Sequence, residues 1–410
     1  MKKITFIDLF SGCGGLSEGF LKSGKFEGLA HVEWELPMVK TLRNRLETKW
    51  QYSNKEVNEK VIHFDIQKSS ELINGNWSNE SILEYGETNS EKIIKEGLNG
   101  IVKRSVDLII GGPPCQAYSI PGRAQDKNSM KDDYRNFLFE SFIKVVNRYE
   151  PKMFVFENVT GILSAKTGGV LVVDRIYKAF SEAGYDILPP ERIKESILNS
   201  NDYGVPQNRN RVIIVGVKKD SNKNDLNDIY LKLKSVPKNI KINTVNDAIG
   251  NLKPFYPLRK QLKIEGRNIS HDNYDLKDKM HFPRFHNKRD ISIFKDWIIN
   301  GLNSKKLKEQ LSFYATKTGK NSNYNKYRNL VWNKPSPTIV AHLQKDGLLF
   351  IHPDPKQART LTVREAARLQ SFPDDYEFLG SQGYNYKMIG NAVPPLLGKK
   401  IASVLYDTLK

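Results

Sequence analysis

The chain alternates short apolar runs with longer stretches of helical periodicity, the pattern of consecutive βαβ units. Runs at 4–9, 28–33, 61–65, 106–110, 153–156 and 211–217 are rich in β-branched or aromatic residues and stop at Gly, Pro or a charged residue. Most are continuously apolar, as strands covered on both faces are. The pattern predicts an α/β chain built on an open, doubly wound parallel sheet, with strands in that order. Helical periodicity returns over 361–372, and a final helix is expected to run to Leu409 after Gly390-Asn391-Ala392-Val393-Pro394-Pro395. Asn-rich stretches near 72–80 and 221–227 read as surface loops, and the charged segment 84–95 reads as part of a solvated surface insertion spanning 67–105. No internal repeat is found.

At 410 residues the chain is long for one core, so two domains are expected. A break in character near residue 250 agrees. Residues 251–340 hold 19 Lys or Arg against 7 Asp or Glu, a net +12 of the +18 carried by the whole chain. Phe313, Tyr314, Tyr324, Tyr327 and Trp332 lie among those bases, as where a surface tracks phosphates and stacks on bases, although a solvated basic face with ordinary core aromatics has the same composition. Two cysteines, Cys13 and Cys115, are too few for a disulfide framework or a zinc ribbon, so a reducing cytoplasm is expected. No apolar run approaches the roughly 18 residues of a membrane span, and no membrane association is expected.

Several strand ends carry candidate chemistry. The first runs into Asp8-Leu9-Phe10-Ser11-Gly12-Cys13-Gly14-Gly15-Leu16, where glycines permit close approach of backbone to a ligand at a helix amino terminus, or simply make a tight turn. Glu33 ends the second run, where an acid can accept from both hydroxyls of a ribose, and Asp65 ends the third, where it can take an exocyclic amine. Each is equally a possible cap or turn residue. Together they point to an adenosine-bearing cofactor. Pro113-Pro114 hold Cys115 beyond the fourth run, the place for a nucleophile, whereas Cys13 reads as a small buried hydrophobe. A thiol with a reference pKa of about 8.5 needs positive neighbours to react near neutrality, and Arg209 and Arg211 are the candidates. Glu157-Asn158-Val159 brings a carboxyl to the same edge. In Gln207-Asn208-Arg209-Asn210-Arg211 the alternate residues Gln207, Arg209 and Arg211 point one way.

In this order the motifs resemble those of the DNA (cytosine-5) methyltransferase family along nearly the whole chain. Asp8 to Gly15, Glu33-Trp34 and Asp65-Ile66 match its cofactor motifs, and Pro113-Pro114-Cys115-Gln116 matches its nucleophile loop. Glu157-Asn158-Val159, Gln207-x-Arg209-x-Arg211, 359–372 and Gly390-Asn391-x-Val393 match the later ones. The resemblance implies a Rossmann-like methyltransferase sheet with a second, smaller, basic target-recognition domain. The expected division is a catalytic domain over 1–249, target recognition over 250–382, and a segment 383–410 returning to the catalytic domain. It implies S-adenosylmethionine as cofactor, leaving as S-adenosylhomocysteine, held by Phe10, Ser11, Gly12, Gly14, Gly15, Leu16, Glu33, Trp34, Asp65, Ile66, Pro113, Asn391 and Val393. Catalysis is implied for Cys115, which adds to C6 of cytosine, for Glu157 at the N3 and amino edge, for Arg211 at O2, and for Arg209 supporting the thiolate. The base would be flipped from the duplex, with a mobile loop over 116–135 offsetting the cost.

The expected partner is double-stranded DNA, with a separate cognate restriction endonuclease, and a cytoplasmic, nucleoid-associated bacterial monomer is expected. No metal site is expected. The competing readings are an RNA cytosine methyltransferase acting on tRNA, a catalytically silent DNA-binding regulator, and a nicotinamide-dependent oxidoreductase. The long basic segment favours duplex DNA over RNA. Intact Cys115, Glu157 and Arg211 disfavour a silent protein, and an oxidoreductase leaves Pro-Pro-Cys-Gln unexplained.

Overall fold

The computed structural model describes residues 2–114, 138–219, 226–235, 243–264, 266–272 and 280–410. The chain divides into two compact units: 1–203 with 210–240 and 392–410, and 204–209 with 241–391.

The first unit is built on an eight-stranded sheet. Its strands are β1 (Ile4–Leu9), β2 (Phe26–Glu33), β3 (Val61–His63), β4 (Leu108–Gly111), β5 (Met153–Val159), β6 (Tyr185–Asp186), β7 (Ile197–Asn199) and β8 (Asn210–Lys218). The order across the sheet is β3-β2-β1-β4-β5-β8-β6, with β7 also paired to β8. From β1 the chain moves outward through β2 to β3, then crosses back to β4 and β5, so the direction of winding reverses between β1 and β4. These five strands are mutually parallel, whereas β8 runs antiparallel to β5, β6 and β7. That antiparallel side departs from the all-parallel expectation. A strand buried on both faces is continuously apolar in either direction, so the pattern of 211–217 carries no sign of it.

Register then decides where side chains go. Val32 pairs with Leu9, Leu9 with Gly111, and Gly111 with Phe156, a single row across β2, β1, β4 and β5. The next residues, Glu33, Phe10, Gly112 and Glu157, therefore leave the row at one edge of the sheet, beside the winding reversal. Helices α1 (Gly15–Lys22) and α2 (Leu36–Thr48) follow β1 and β2. The final helix, Pro395–Leu409, lies against α1 so closely that a Cβ on Gly19 would stand 2.5 Å from the Lys399 nitrogen. Between α1 and α2, Arg45 and Glu18 form a buried ion pair at 2.6 Å, and the Trp50 indole N–H also donates to Glu18.

The insertion over 67–105 is part of the core and not a solvated appendage. Leu72, Ile73, Trp77, Tyr85, Ile93 and Leu98 are all buried in the main apolar cluster, and the Trp77 and Phe64 rings lie 4.2 Å apart. The stretch 72–80, expected as a loop, contains the end of a helix Ser69–Asn74 and the start of another, Asn79–Tyr85. Of the second expected loop, 221–225 lie outside the described residues. The insertion also closes the edge of the sheet. The Asn89 side chain accepts from the His63 N–H at 3.0 Å and donates to the His63 carbonyl at 2.7 Å, as a neighbouring strand would.

The second unit carries helices at Lys288–Ile299, Leu307–Thr318, Val363–Leu369 and Gln382–Asn391, and a two-stranded ribbon, β9 (Pro257–Ile264) with β10 (Arg267–His271). Ile293, Phe294, Trp297, Tyr327 and Ile351 form an apolar cluster. Its interior also holds a buried polar group. Arg359 and Glu365, each 1 % exposed, make a bidentate pair at 2.6 and 2.7 Å, with Arg359 also donating to Gln357 Oε1. Buried His271, His281, His286 and His352 surround the same segment and bond to Gln357, Thr362, Thr360 and Asp354 in turn.

Candidate functional site

The turn after β1 is unusual in its backbone. Phe10, Gly12 and Gly14 have φ of 58, 55 and 87°, so three of five successive residues sit in the left-handed region. Glycine meets this demand at 12 and 14, while Phe10 carries local strain of the kind found at binding sites. The Ser11 and Gly14 amides bond to the Val32 and Ser11 carbonyls, and α1 begins at Gly15 with Leu16 buried behind it. A Cβ on Gly12 would meet only Met38 Sδ, at 3.9 Å, so space opens in front of the turn.

Glu33 closes this turn from the side. Its Oε2 accepts from the Gly12 N–H at 2.8 Å, and Oε1 accepts from the N–H groups of Trp34 and Glu35 at 2.9 Å each. Burial pushes its carboxyl up to about 7, against the lowering effect of those amides. Trp34, next in the chain, leaves 48 % of its surface open. Its carbonyl lies 2.9 Å from His63 Nε2, so the sheet-closing insertion also steadies this corner. Asp65 is bonded to the Gln67 N–H at 2.9 Å and to the Gln67 amide, a local turn arrangement, and Ile66 beside it is buried. Beneath the turn, Ser17 donates to Asp8 and stands 3.0 Å from His31 Nδ1, all three buried. Burial pushes Asp8 up to about 7 and His31 down to about 3, so near neutrality His31 is uncharged and Asp8 only partly ionised. Burial likewise pushes the Cys13 thiol up to about 12, which makes it the inert cysteine.

At the ends of β4 and β5 the structure joins Gly112, Pro113, Glu157, Asn158 and Arg211. Glu157 Oε1 and Arg211 Nε form an ion pair at 2.9 Å, both side chains 11 % exposed. Arg211 is opposite Val159 in the β8–β5 ladder, two positions beyond Glu157, which brings the two side chains together. The Asn158 amide donates to the Pro113 carbonyl at 3.3 Å and fixes the start of the segment leading to residue 115. Gly112 packs directly on the acid: a Cβ there would be 2.7 Å from Glu157 Oε2. Cys115, Gln116 and the expected loop over 116–135 lie outside the described residues.

The remaining expected site residues are placed separately. In the second unit Arg209 is 1 % exposed and donates to the carbonyls of Ile339 at 2.7 Å and Gly390 at 3.1 Å, so its guanidinium ties two backbone segments together. Gln207 is similarly bonded, accepting from the Ile339 N–H at 2.9 Å, while Asn208 and Asn210 are exposed, as the period-two reading requires. Asn391, which ends the helix Gln382–Asn391, is exposed, and in the first unit Val393 is buried. Three features escaped the sequence reading. Gly112 looks like any turn glycine, the Asn158 amide is hidden inside a motif noticed for its acid, and Asn89 lies in a segment whose charge masks its spaced apolar positions.

A glycine turn, a buried acid on the adjoining strand and an open indole lie together at the winding reversal of a doubly wound sheet, the place where open α/β sheets bind ligands. The family model for C-5 cytosine-specific DNA methylase matches residues 4–407. The Type II methyltransferase M.Bpa9945I of Bacillus paralicheniformis is 36 % identical over 450 residues, covering 98 % of each chain. The Type II methyltransferase M.DdeI of Desulfomicrobium norvegicum is 33 % identical, covering 97 % of this chain and 88 % of its own. Among solved structures, a DNA modification methyltransferase encoded within a prophage (E. coli) aligns over 99 % of both chains with a TM-score of 0.63 and 25 % identity. The S. pombe Dnmt2 methyltransferase, at TM-score 0.55 and 15 % identity over 99 % of this chain and 98 % of its own, shares the fold. The chain belongs to the C-5 cytosine-specific DNA methylase family, and its class is that of a DNA cytosine-5 methyltransferase.

Proposed function

We propose that this chain moves a methyl group from S-adenosylmethionine to C5 of a flipped-out cytosine in a short duplex DNA sequence, as the modification enzyme of a restriction-modification pair. The observation that carries the reading is the single register row that sends Glu33, Phe10, Gly112 and Glu157 to one edge of the sheet.

The residues at the glycine turn suit the cofactor. Open space at Gly12 admits a ligand against the backbone, Glu33 keeps acceptor capacity beside its amide bonds for a ribose diol, and the open Trp34 ring offers a stacking face. Asp65 would take an exocyclic amine by exchanging its Gln67 partner. When bound, the cofactor supplies a methyl group on a positively charged sulfur.

Cytosine C5 is a poor nucleophile, so Cys115 as a thiolate forms a carbon–sulfur bond at C6, and the electron pair displaced from the C5–C6 double bond makes C5 nucleophilic. Glu157 hydrogen-bonds the N3 and amino edge as charge develops there, and Arg211, already paired with it, reaches O2. After methylation a base removes the C5 proton, the double bond re-forms and Cys115 leaves. Arg209 acts in support, holding backbone around Gly390 and Asn391. Flipping costs a few kcal/mol, which loop contacts offset. The basic segment within 250–382 supplies phosphate contacts and target recognition. The test is a duplex carrying 5-fluorocytosine, whose fluorine cannot leave as the C5 proton does. The native chain with S-adenosylmethionine should form a denaturant-resistant protein–DNA adduct and Cys115→Ser none; an adduct that survives in the variant excludes Cys115 as the nucleophile.

A further inference from the structure

Given that reading of duplex DNA as substrate, we infer that the β9–β10 ribbon is the element that enters the major groove and reads base pairs, through Leu262, Lys263, Ile264 and Asn268 at its outer end.

The ribbon is a bare pair of strands. Its antiparallel register is Leu262 with Ile269, Lys263 with Asn268 and Ile264 with Arg267, and neither strand pairs with a third among the described residues. Its root is rigid. Ile269, Ser270 and His271 are buried, His271 Nε2 bonds to the Gln357 carbonyl at 2.8 Å, and the Gln261 amide donates to the His286 carbonyl at 3.0 Å. Beyond that root both faces open to solvent. Leu262 and Ile264, on one face, are 47 and 36 % exposed, and Lys263 and Asn268, on the other, are exposed as well.

A two-stranded ribbon with no covering layer is marginal in water, and aliphatic side chains at its tip gain nothing there until a partner covers them. The chemistry of that partner is set by charge. Residues 257–271 carry Arg259, Lys260, Lys263 and Arg267 against the single acid Glu265. A polyanion with apolar spots between its charges satisfies both features. Duplex DNA supplies phosphates along the groove walls and thymine methyls on its floor. The dimensions agree. Three residues beyond the root extend about 7–10 Å, and the major groove, about 8.5 Å deep, is wide enough for a two-stranded ribbon. In that position the Asn268 amide and the Lys263 ammonium address base edges, while Arg259 and Lys260 address phosphates.

The test uses the full-length chain, a plasmid library with randomised sites, S-adenosylmethionine and bisulfite sequencing. Lys263→Ala and Asn268→Ala, each checked for an unchanged melting temperature, are compared with the native chain and with Lys305→Ala/Lys306→Ala/Lys308→Ala, a triple change of exposed lysines outside the ribbon. The inference expects each ribbon variant to lose at least fivefold in preference at one base pair of the target. The triple variant should keep the target and lose only salt-sensitive affinity. Ribbon variants that keep the full target preference overturn the inference while leaving the proposed function standing. A native chain that methylates no DNA overturns the proposed function, and the inference with it.

Discussion

Replacing Gly112 by alanine separates the chemistry from the fold. The backbone at this position is outside the left-handed region, so alanine is tolerated there, and the new Cβ would stand 2.7 Å from Glu157 Oε2. That is about 0.7 Å short of the 3.4 Å at which ordinary contact begins. The carboxylate is the far end of a flexible side chain and yields, but it is also bonded to Arg211 at 2.9 Å, so the pair shifts as one. Misplacing a reacting group by about 1 Å can cost about 100-fold in rate, and a shift of this size should cost about 10- to 100-fold, or roughly 1.4–2.7 kcal/mol of transition-state stabilisation. Gly111→Ala is the control. Its Cβ would meet the Leu9 carbonyl at 2.4 Å, and that oxygen belongs to the neighbouring strand, so the clash falls on the sheet and should cost about 1–3 kcal/mol of stability. The assay is the initial rate of methyl transfer to duplex DNA at saturating cofactor, alongside thermal denaturation. Gly112→Ala should melt within a degree or two of the native chain and turn over slowly. Native turnover in that variant would refute the assignment of Glu157 to the reacting edge.

Two further predictions concern the fold. Arg45→Leu leaves Glu18 buried without its ion-pair partner and should destabilise the chain by about 3–5 kcal/mol, with Glu18→Leu/Arg45→Leu recovering much of the loss in a denaturant titration. Acid should loosen the two units unequally. Burial holds His271 near 4 and His286 and His352 near 3, below an unfolded value of about 6.5. As the pH falls below 6.5 the unfolded chain gains protons that the folded one refuses, so each histidine removes up to about 1.4 kcal/mol per pH unit. In the first unit Asp8 and Glu33, pushed up to about 7, bind protons in the folded state first, and their contribution grows as the pH falls from 7 towards 4, opposing His31. Hydrogen exchange at pH 5 against pH 7, corrected for intrinsic rates, should show protection lost in the helices Lys288–Ile299 and Val363–Leu369 before it is lost in β1 and β4; equal loss in both units would contradict it.

How legible this was varied with what each element depends on. β1 appears over the expected residues because six successive buried positions leave no other choice. β4 begins two residues late because the Asp107 carboxylate turns back to the Thr5 amide and hydroxyl. β3 stops at His63, whose backbone is taken by the Asn89 side chain, an interaction 26 residues away in sequence. The insertion was misread because its lysines and glutamates dominate the composition while the apolar positions Ile93 and Leu98 face inward. The placement of Glu33, Glu157 and Arg211 at one sheet edge was legible because each lies near one end of a strand. Gly112 was not, since its role is the absence of a side chain against an acid 45 residues away. The direction of β8, which decides how Arg211 meets Glu157, depends on chain return and leaves no trace in an apolar run.

The proposed function requires covalent cytosine-5 methylation of DNA at a defined sequence by Cys115. Its most direct test is bisulfite sequencing of plasmid DNA from a host without cytosine methylation of its own, expressing either the native chain or Cys115→Ser. Protected cytosines within one short recurring sequence, present with the native chain and absent with the variant, are the predicted result. Plasmid without protected sites from cells holding folded native protein, or equal protection by the variant, would contradict it.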